Sequence, residues 1–476
     1  MRVISQFCLL VIVCSSASAS LSGDERKLLS SANVDRALLT IRRLCGDEFA
    51  GRRAGSEEES SAARYLASAF QQVGVVPVHG NSTNDYLQPL KMRYSLIKSM
   101  DEVSATLSYE VSGRNRDQVV PYSDYRGAGG LDFRSEVVFV GHGIHAPDQG
   151  VDDYAGLDVS GKIVLWLTGE SKSTKLKKAT DAQKMLSAYQ LGARACLVCE
   201  GVEAGKVDVV NRGCSGAIAD FPYLRVDSKT ASELFPIGRN MSAVLLGLKP
   251  GYKGNKLRIR VNQVYDPERV TFNVIGLIPG SDPVLRKEIV MVGAHYDHLG
   301  KEKIGTFRGA DDNASGTSVV LETARAIRAS GLSPRRTIVF ACWTGEESGL
   351  IGSNYFVAHP EFPLDSVVSN IELDMVGMGT PGLFAATGAP RFPEQLRSLA
   401  SSAADLNYVL RTNENPGASD YLAFMRKDFP GALLYVEGNH PYYHTTLDVP
   451  ACIDSRVLLS ALRLAILSVW RAANPA

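Results

Sequence analysis

The sequence predicts an α/β protein, a three-layer α/β/α sandwich with a mixed, largely parallel sheet, interrupted by a β-rich insertion. Two observations carry this expectation. After Val270, apolar runs of strand length (288–293, 337–342, 367–373, 432–436) alternate with runs of helical period (317–329, 393–406, 457–470). Such alternation argues for helices on both faces of a parallel sheet. From about Glu102 to Val264 the texture is instead short β-like runs with glycine punctuation, at 136–140, 162–167, 195–198 and 243–246, around one helix-like run at 185–192.

In chain order, Arg2, the apolar stretch 7–13 and the small-residue stretch Ala17-Ser-Ala19 form a secretory signal pattern with cleavage after Ala19. A lipid anchor at Cys14 is the alternative, and Val13 is a poor residue to precede one. Residues 1–19 are therefore expected to be a signal peptide and 20–101 an N-terminal helical part of the main domain. Residues 102–264 are expected to form the insertion and 265–476 the main α/β domain. Ser56 with Glu59 reads as a capping box, Tyr65, Leu66, Ala69, Phe70 and Val73 as one apolar face, and Gly74 as the stop. No later segment reaches the apolar length of about 18 to 20 residues that a spanning helix needs. With 51 basic and 51 acidic residues the formal charge is zero, which offers no electrostatic footprint for nucleic acid and points to a small or peptide partner.

Export permits disulfides, and Cys196, Cys199 and Cys214 form one neighbourhood where a bridge is feasible. A zinc site on Cys196 and Cys199 lacks a second ligand pair. His142 and His145 lack a third ligand and read as structural or surface residues.

Chemistry concentrates at the ends of the later apolar runs. His295, Asp297 and His298 follow 289–294, Asp311 and Asp312 lie in a glycine-flanked loop, and Glu346 and Glu347 follow 338–343. Asp374 ends 367–373, and His444 sits in an aromatic loop. In open α/β sheets sites gather at the carboxyl ends of strands. Each of these residues alone has a bland explanation as a surface pair, a turn or a helix cap. Jointly they supply the imidazole and carboxylate ligands that suit zinc. They also include an aspartate with two oxygens to bridge ions about 3.5 to 4 Å apart. A neighbouring carboxylate outside the ligand set is needed to move protons, and Glu346 and Glu347 could supply a base and a ligand from one turn. Asp297 can orient His295.

Gly293-Ala-His-Tyr-Asp-His-Leu-Gly300, Gly309-Ala-Asp-Asp-Asn-Ala-Ser-Gly316, Gly345-Glu-Glu-Ser-Gly-Leu-Ile-Gly-Ser353, Leu373-Asp-Met375 and His444-Thr-Thr-Leu-Asp448 together resemble the motif set of the di-zinc aminopeptidase family of metallopeptidase clan MH. That family includes bacterial leucyl aminopeptidases and, more distantly, glutamate carboxypeptidases. Cys45-Gly-Asp-Glu-Phe-Ala-Gly-Arg-Arg-Ala-Gly55 resembles its N-terminal stretch. Val138-Phe-Val-Gly-His-Gly-Ile144, Asp152-Asp-Tyr154 and Val159-Ser-Gly-Lys-Ile-Val-Leu165 resemble a protease-associated domain. The resemblance implies two zinc ions per chain, bridged by Asp312, with His295 and Asp374 completing one and Glu347 and His444 the other. It implies Glu346 as general base and acid and Asp297 as the partner that orients His295. Asp420, in Ala418-Ser-Asp-Tyr421, is implied to support the site by hydrogen bonding, although relatives often carry histidine where Tyr421 stands. The activity implied is exopeptidase hydrolysis of peptides, aminopeptidase by default. Carboxypeptidase or dipeptidase action is the alternative on the same centre, and a single-zinc glutaminyl-cyclase-like transferase or a binding module that has lost ligands is a rival class. Of the sequons at Asn81, Asn240 and Asn313, the last adjoins the bridging position and is expected to be accidental.

Overall fold

The computed structural model describes residues 21–95, 104–121, 131–147, 150–167, 181–199, 221–235, 248–261, 265–302, 305–412 and 419–475. The expected signal peptide, the 243–246 strand, Cys214 and Asn240 lie outside them. Two compact units emerge, one from residues 1–92 with 268–476 and the other from 93–267.

The first unit is built on an eight-stranded sheet. Its order is Leu87–Ser95, Tyr265–Ile278, Thr337–Trp343, Ile289–His295, Val367–Leu373, Ala432–Val436, Leu383–Gly388 and Val409–Thr412. The four central strands, Thr337–Trp343 to Ala432–Val436, run parallel, and antiparallel neighbours flank them. Every residue of Ile289–His295 is buried, as a parallel strand covered on both faces requires. Val290, Val292 and Ala294 pack with the helices Val34–Leu44, Glu57–Val73, Gly316–Ser330 and Ser455–Ala473. The alternate residues Ile289 and Met291 pack with Phe356 and Phe424, from the helices Ile351–Ala358 and Tyr421–Met425. Period-two alternation thus assigns one strand's side chains to two cores and makes the three layers.

Two details differ from the sequence reading. The N-terminal part is not purely helical, because Leu87–Ser95 joins the large sheet as an edge strand, and the unit boundary falls at 93 and 268 rather than 102 and 265. Ser56 does cap Glu57–Val73 by accepting from the Glu59 N–H at 3.0 Å. Glu59 does not return the bond. Its carboxylate turns inward and accepts from the hydroxyls of Tyr296, Thr271 and Thr344, partners that come from far along the chain. Gly74 ends the helix at φ 81°.

The second unit holds a seven-stranded mixed sheet, ordered Arg114–Pro121, Ser104–Val111, Lys253–Val261, Leu131–Phe139, Ile163–Leu167, Ala195–Cys199 and Tyr223–Val226. Its last four strands are parallel. The helix Asp181–Gln190 supplies Met185 and Ala188 to one core, and the other face of the sheet packs a separate core. His145 pairs with Asp152 at 2.8 Å, and Asp153 accepts the His142 backbone N–H. Both histidines thus stand outside any metal-binding group among the described residues. No helix among the described residues is long and apolar enough to cross a membrane.

Candidate metal centre

The central parallel strands deliver the polar residues to one edge. His295 ends its own strand, Asp374 follows Leu373 directly, Glu346 and Glu347 follow Trp343 within one turn, and His444 lies beyond Val436. From Ile289–His295 the chain crosses to Thr337–Trp343 on one side and then to Val367–Leu373 on the other. This reversal of strand order is where open α/β sheets leave a crevice.

The loop 309–316 is held by its neighbours. Asp448 accepts the backbone N–H groups of Asp311 at 2.9 Å and Asp312 at 3.1 Å. Asn313 is buried, donates to the Leu373 carbonyl and accepts from the Gly316 N–H, so its sequon cannot carry a glycan in this fold. Gly309 has φ 55°, and a Cβ there would collide with the Asp312 carbonyl and the His298 ring. Only glycine fits. The Asp312–Asn313 peptide is cis.

Asp312 divides its two oxygens between two sets of donors. Oδ1 lies 3.3 Å from His295 Nε2, which is 3.5 Å from Asp374 Oδ1. Oδ2 lies 3.1 Å from His444 Nε2, which is 3.0 Å from Glu347 Oε2. Two ligands each about 2.0 to 2.1 Å from a tetrahedral zinc stand roughly 3.3 Å apart, and these separations lie close to that spacing. The orphaned atoms agree. His295 Nε2 and Asp374 Oδ1 are buried without a hydrogen-bond partner, a costly arrangement unless a cation satisfies them. The donor set therefore fits zinc.

Asp311 does different work. Its Oδ2 is 2.7 Å from His440 Nδ1, and its Oδ1 accepts the Gly377 N–H. His440 Nε2 faces the Val436 carbonyl at 2.9 Å, so both ring nitrogens face acceptors and the imidazolium form is favoured. Asp297 Oδ1 accepts the Glu346 N–H at 3.1 Å and lies 3.6 Å from His295 Nδ1. That nitrogen is nearer to the Asp297 carbonyl, at 3.2 Å. Asp297 thus touches both the His295 ring and the Glu346 main chain. Asp420 is buried beside the site. Burial pushes its carboxyl up to about 7 despite the pull of His295.

His298, to which the sequence reading gave no role, is buried in the site. Its Nδ1 is 2.7 Å from Glu347 Oε1 and 3.9 Å from Asp312 Oδ2. It therefore rivals His444 as the second imidazole. The separations around His444 match the ligand spacing of a tetrahedral zinc on both sides and those around His298 on neither. His444→Ala is expected to weaken zinc binding more than His298→Ala in a chelator-competition titration; the reverse order would exchange their roles. His444 takes φ 55°, a left-handed backbone uncommon for a side-chain-bearing residue, with Tyr443 stacked on its ring at 3.8 Å.

Protein groups alone shift the proton affinities of these side chains in opposite directions. For His444, burial opposes charge, but Glu347 and Asp312 outweigh it and push the ring up to about 11. Burial likewise opposes ionisation of Glu347, yet His444 and His298 bring it down to about 2. Glu346 goes the other way. Burial raises it well above the usual carboxylate range, against the attraction of His295 and with repulsion from Glu347. Below about pH 11 His444 carries a proton that a cation must displace, so metal uptake near neutrality is expected to release protons and to weaken as pH falls. Calorimetry in two buffers of different ionisation enthalpy measures this, and buffer-independent heat would contradict it.

Residues 273–469 match Peptidase family M28, a span that contains every residue of the two donor sets. Among curated proteins the chain is 31% identical over 160 residues to leupeptin-inactivating enzyme 1 of Streptomyces exfoliatus, covering 33% of this chain and 34% of that protein. It is 26% identical over 446 residues to a probable glutamate carboxypeptidase of Arabidopsis thaliana, covering 83% and 61%. It thus spans less than two thirds of the length of each. Among solved structures it resembles an aminopeptidase from Aneurinibacillus sp. strain AM-1, with TM-score 0.67, 24% identity and coverage of 95% and 97%. A zinc aminopeptidase from Bacillus subtilis gives TM-score 0.62 at 22% identity, covering 93% and 96%. These two likenesses bear on the fold; the stretch 273–469, which holds both donor sets, is similar to peptidase family M28.

Proposed function

We propose that this chain is an exported zinc-dependent exopeptidase, most simply an aminopeptidase, that hydrolyses peptides at a centre of two zinc ions bridged by Asp312. The observation that carries this reading is the shared carboxylate: Asp312 Oδ1 faces His295 and Oδ2 faces His444 at 3.3 and 3.1 Å. The zinc ligands proposed are His295 and Asp374 for one ion, Glu347 and His444 for the other. A one-zinc transferase leaves one donor set without a purpose. Zinc bound there supplies Lewis acidity, which polarises the scissile carbonyl and acidifies water.

The chain's own residues supply the proton traffic. Water attacks the carbonyl carbon while a Glu346 carboxylate oxygen takes its proton, then returns that proton to the amine nitrogen as the C–N bond breaks. Burial holds the Glu346 carboxyl above the usual carboxylate range, which makes its ionised form a stronger base for this exchange. Asp297 accepts the Glu346 N–H and faces His295 Nδ1, fixing base and ligand relative to each other.

Aminopeptidase action has the support of relatives named probable leucine aminopeptidases, from Trichophyton verrucosum among others, at 29% identity. Carboxypeptidase action is the second reading, favoured by the relative named as a probable glutamate carboxypeptidase, whose match spans 83% of this chain. A panel of free, N-acetylated and C-amidated peptides separates them. The proposal expects cleavage of free and C-amidated peptides but not of N-acetylated ones; the opposite pattern gives the carboxypeptidase. We read residues 1–19 as an export signal, tested by whether the mature N-terminus begins at Ser20. We also read the second unit as a protease-associated domain, on the motifs around Gly141, Asp153 and Gly161.

A further inference from the structure

We propose that Arg52 is a positioning residue of the metal centre, the middle of an N-terminal bracket that fixes the metal-binding loops to one another without contributing a ligand. The inference rests on the zinc reading above. Arg52 is fully buried, yet its guanidinium spends its donors on main-chain carbonyls: Nε on Tyr296 O at 2.7 Å, one terminal nitrogen on Leu44 O at 2.5 Å and Arg308 O at 2.9 Å, the other on Gly309 O at 3.0 Å. Tyr296 lies between His295 and Asp297, and Gly309 opens the loop that carries Asp312. One planar cation therefore spans two of the loops that build the site, and its five donors in a fixed fork make it hard to replace by a lysine. Burying a charge is costly unless it is fully hydrogen-bonded, which marks this as a built feature.

The backbone repeats the attachment. His298 N–H donates to Arg52 O at 3.1 Å and Gly300 N–H to Gly51 O at 3.0 Å. Gly51 has φ 77°, and a Cβ there would collide with the carbonyls of Phe307 and Gly300. Glu59, seven residues after Arg52, ties in a third loop, because its Oε1 accepts from Tyr296 and from Thr344 at 2.9 Å, two residues before Glu346. The stretch 45–59 thus touches the His295, Asp312 and Glu346 loops from behind.

The test measures zinc affinity by chelator competition in the full-length chain carrying Arg52→Met or Arg52→Lys. Leu28→Ala, a buried truncation outside the bracket, serves as the control for general destabilisation. Loss of an outer partner typically weakens metal binding about 10- to 100-fold, and Arg52→Met is expected to fall in that range, with Arg52→Lys between it and the parent and Leu28→Ala near the parent. Parental affinity in Arg52→Met, or a loss no greater than that of Leu28→Ala, overturns the proposal. Hydrogen exchange of the unmutated chain gives a second readout that survives a folding failure of the variants. Zinc is expected to slow exchange across 45–55 together with 296–300 and 308–313; slowing of the latter two alone overturns the bracket. An unmutated chain that takes up no zinc overturns the zinc reading itself, a result distinct from either.

Discussion

Glu346→Gln is expected to retain zinc at the parental level and to lose turnover by about 10²- to 10⁴-fold, the usual contribution of a positioned general base. The amide is nearly isosteric and keeps the backbone N–H that Asp297 accepts at 3.1 Å, so the loop is not expected to move. What disappears is the ability to take a proton from water and return it to the leaving amine. Glu347→Gln provides the contrast, because Glu347 Oε2 lies 3.0 Å from His444 Nε2 in the donor set, and its loss is expected to fall on metal content first. Steady-state assays on a free-amine peptide, with zinc quantified in the same samples, separate the two. Parental turnover in Glu346→Gln removes the base from the mechanism.

Asp312→Ala is expected to lose zinc from both donor sets at once, and with it all measurable hydrolysis. One side chain presents an oxygen to His295 and the other to His444, so no single-site loss can be confined to one ion. The weakening of zinc binding is expected to exceed the roughly 10- to 100-fold that follows loss of an outer partner. Asp311→Ala, one residue away, is expected to cost less, since its oxygens serve His440 and the Gly377 N–H. Zinc retained at full stoichiometry in Asp312→Ala would show that the bridge lies elsewhere.

That distinction between neighbouring aspartates marks the limit of what could be read from sequence. The strands that deliver the candidate site residues are legible because each is a short apolar run followed at once by its polar residue, as at Ile289–His295 and Val367–Leu373. Convergence followed from the α/β alternation and from where such sheets leave a crevice. Motif resemblance placed the bridge at Asp312, but which carboxylate faces two imidazoles depends on loop geometry, which no periodicity encodes. The last two strands of the sheet, Leu383–Gly388 and Val409–Thr412, are not legible in the sequence because they are short and partly exposed, leaving neither a continuous apolar run nor a clean alternation.

Arg52, Glu59 and His298 were illegible as parts of the site for another reason. Arg52 and Tyr296 are 244 residues apart and Glu59 and Tyr296 are 237 apart, so their chemistry appears only once the chain has folded. In sequence Glu59 is a plausible helix cap, and the structure spends it on a buried hydroxyl network instead. His298 had a weak signal, a second imidazole beside His295-Tyr-Asp297. Asp448, which accepts both aspartate N–H groups of the bridging loop, closed a motif that had been read for His444 alone.

The most direct test of the account is a zinc titration of the metal-stripped chain with hydrolysis of a free-amine peptide followed at each addition. Two ions sharing Asp312 predict full activity at about two equivalents of zinc per chain, with Glu346→Gln binding the same two and remaining inactive. Full activity at one equivalent, or none at any zinc level, would contradict it.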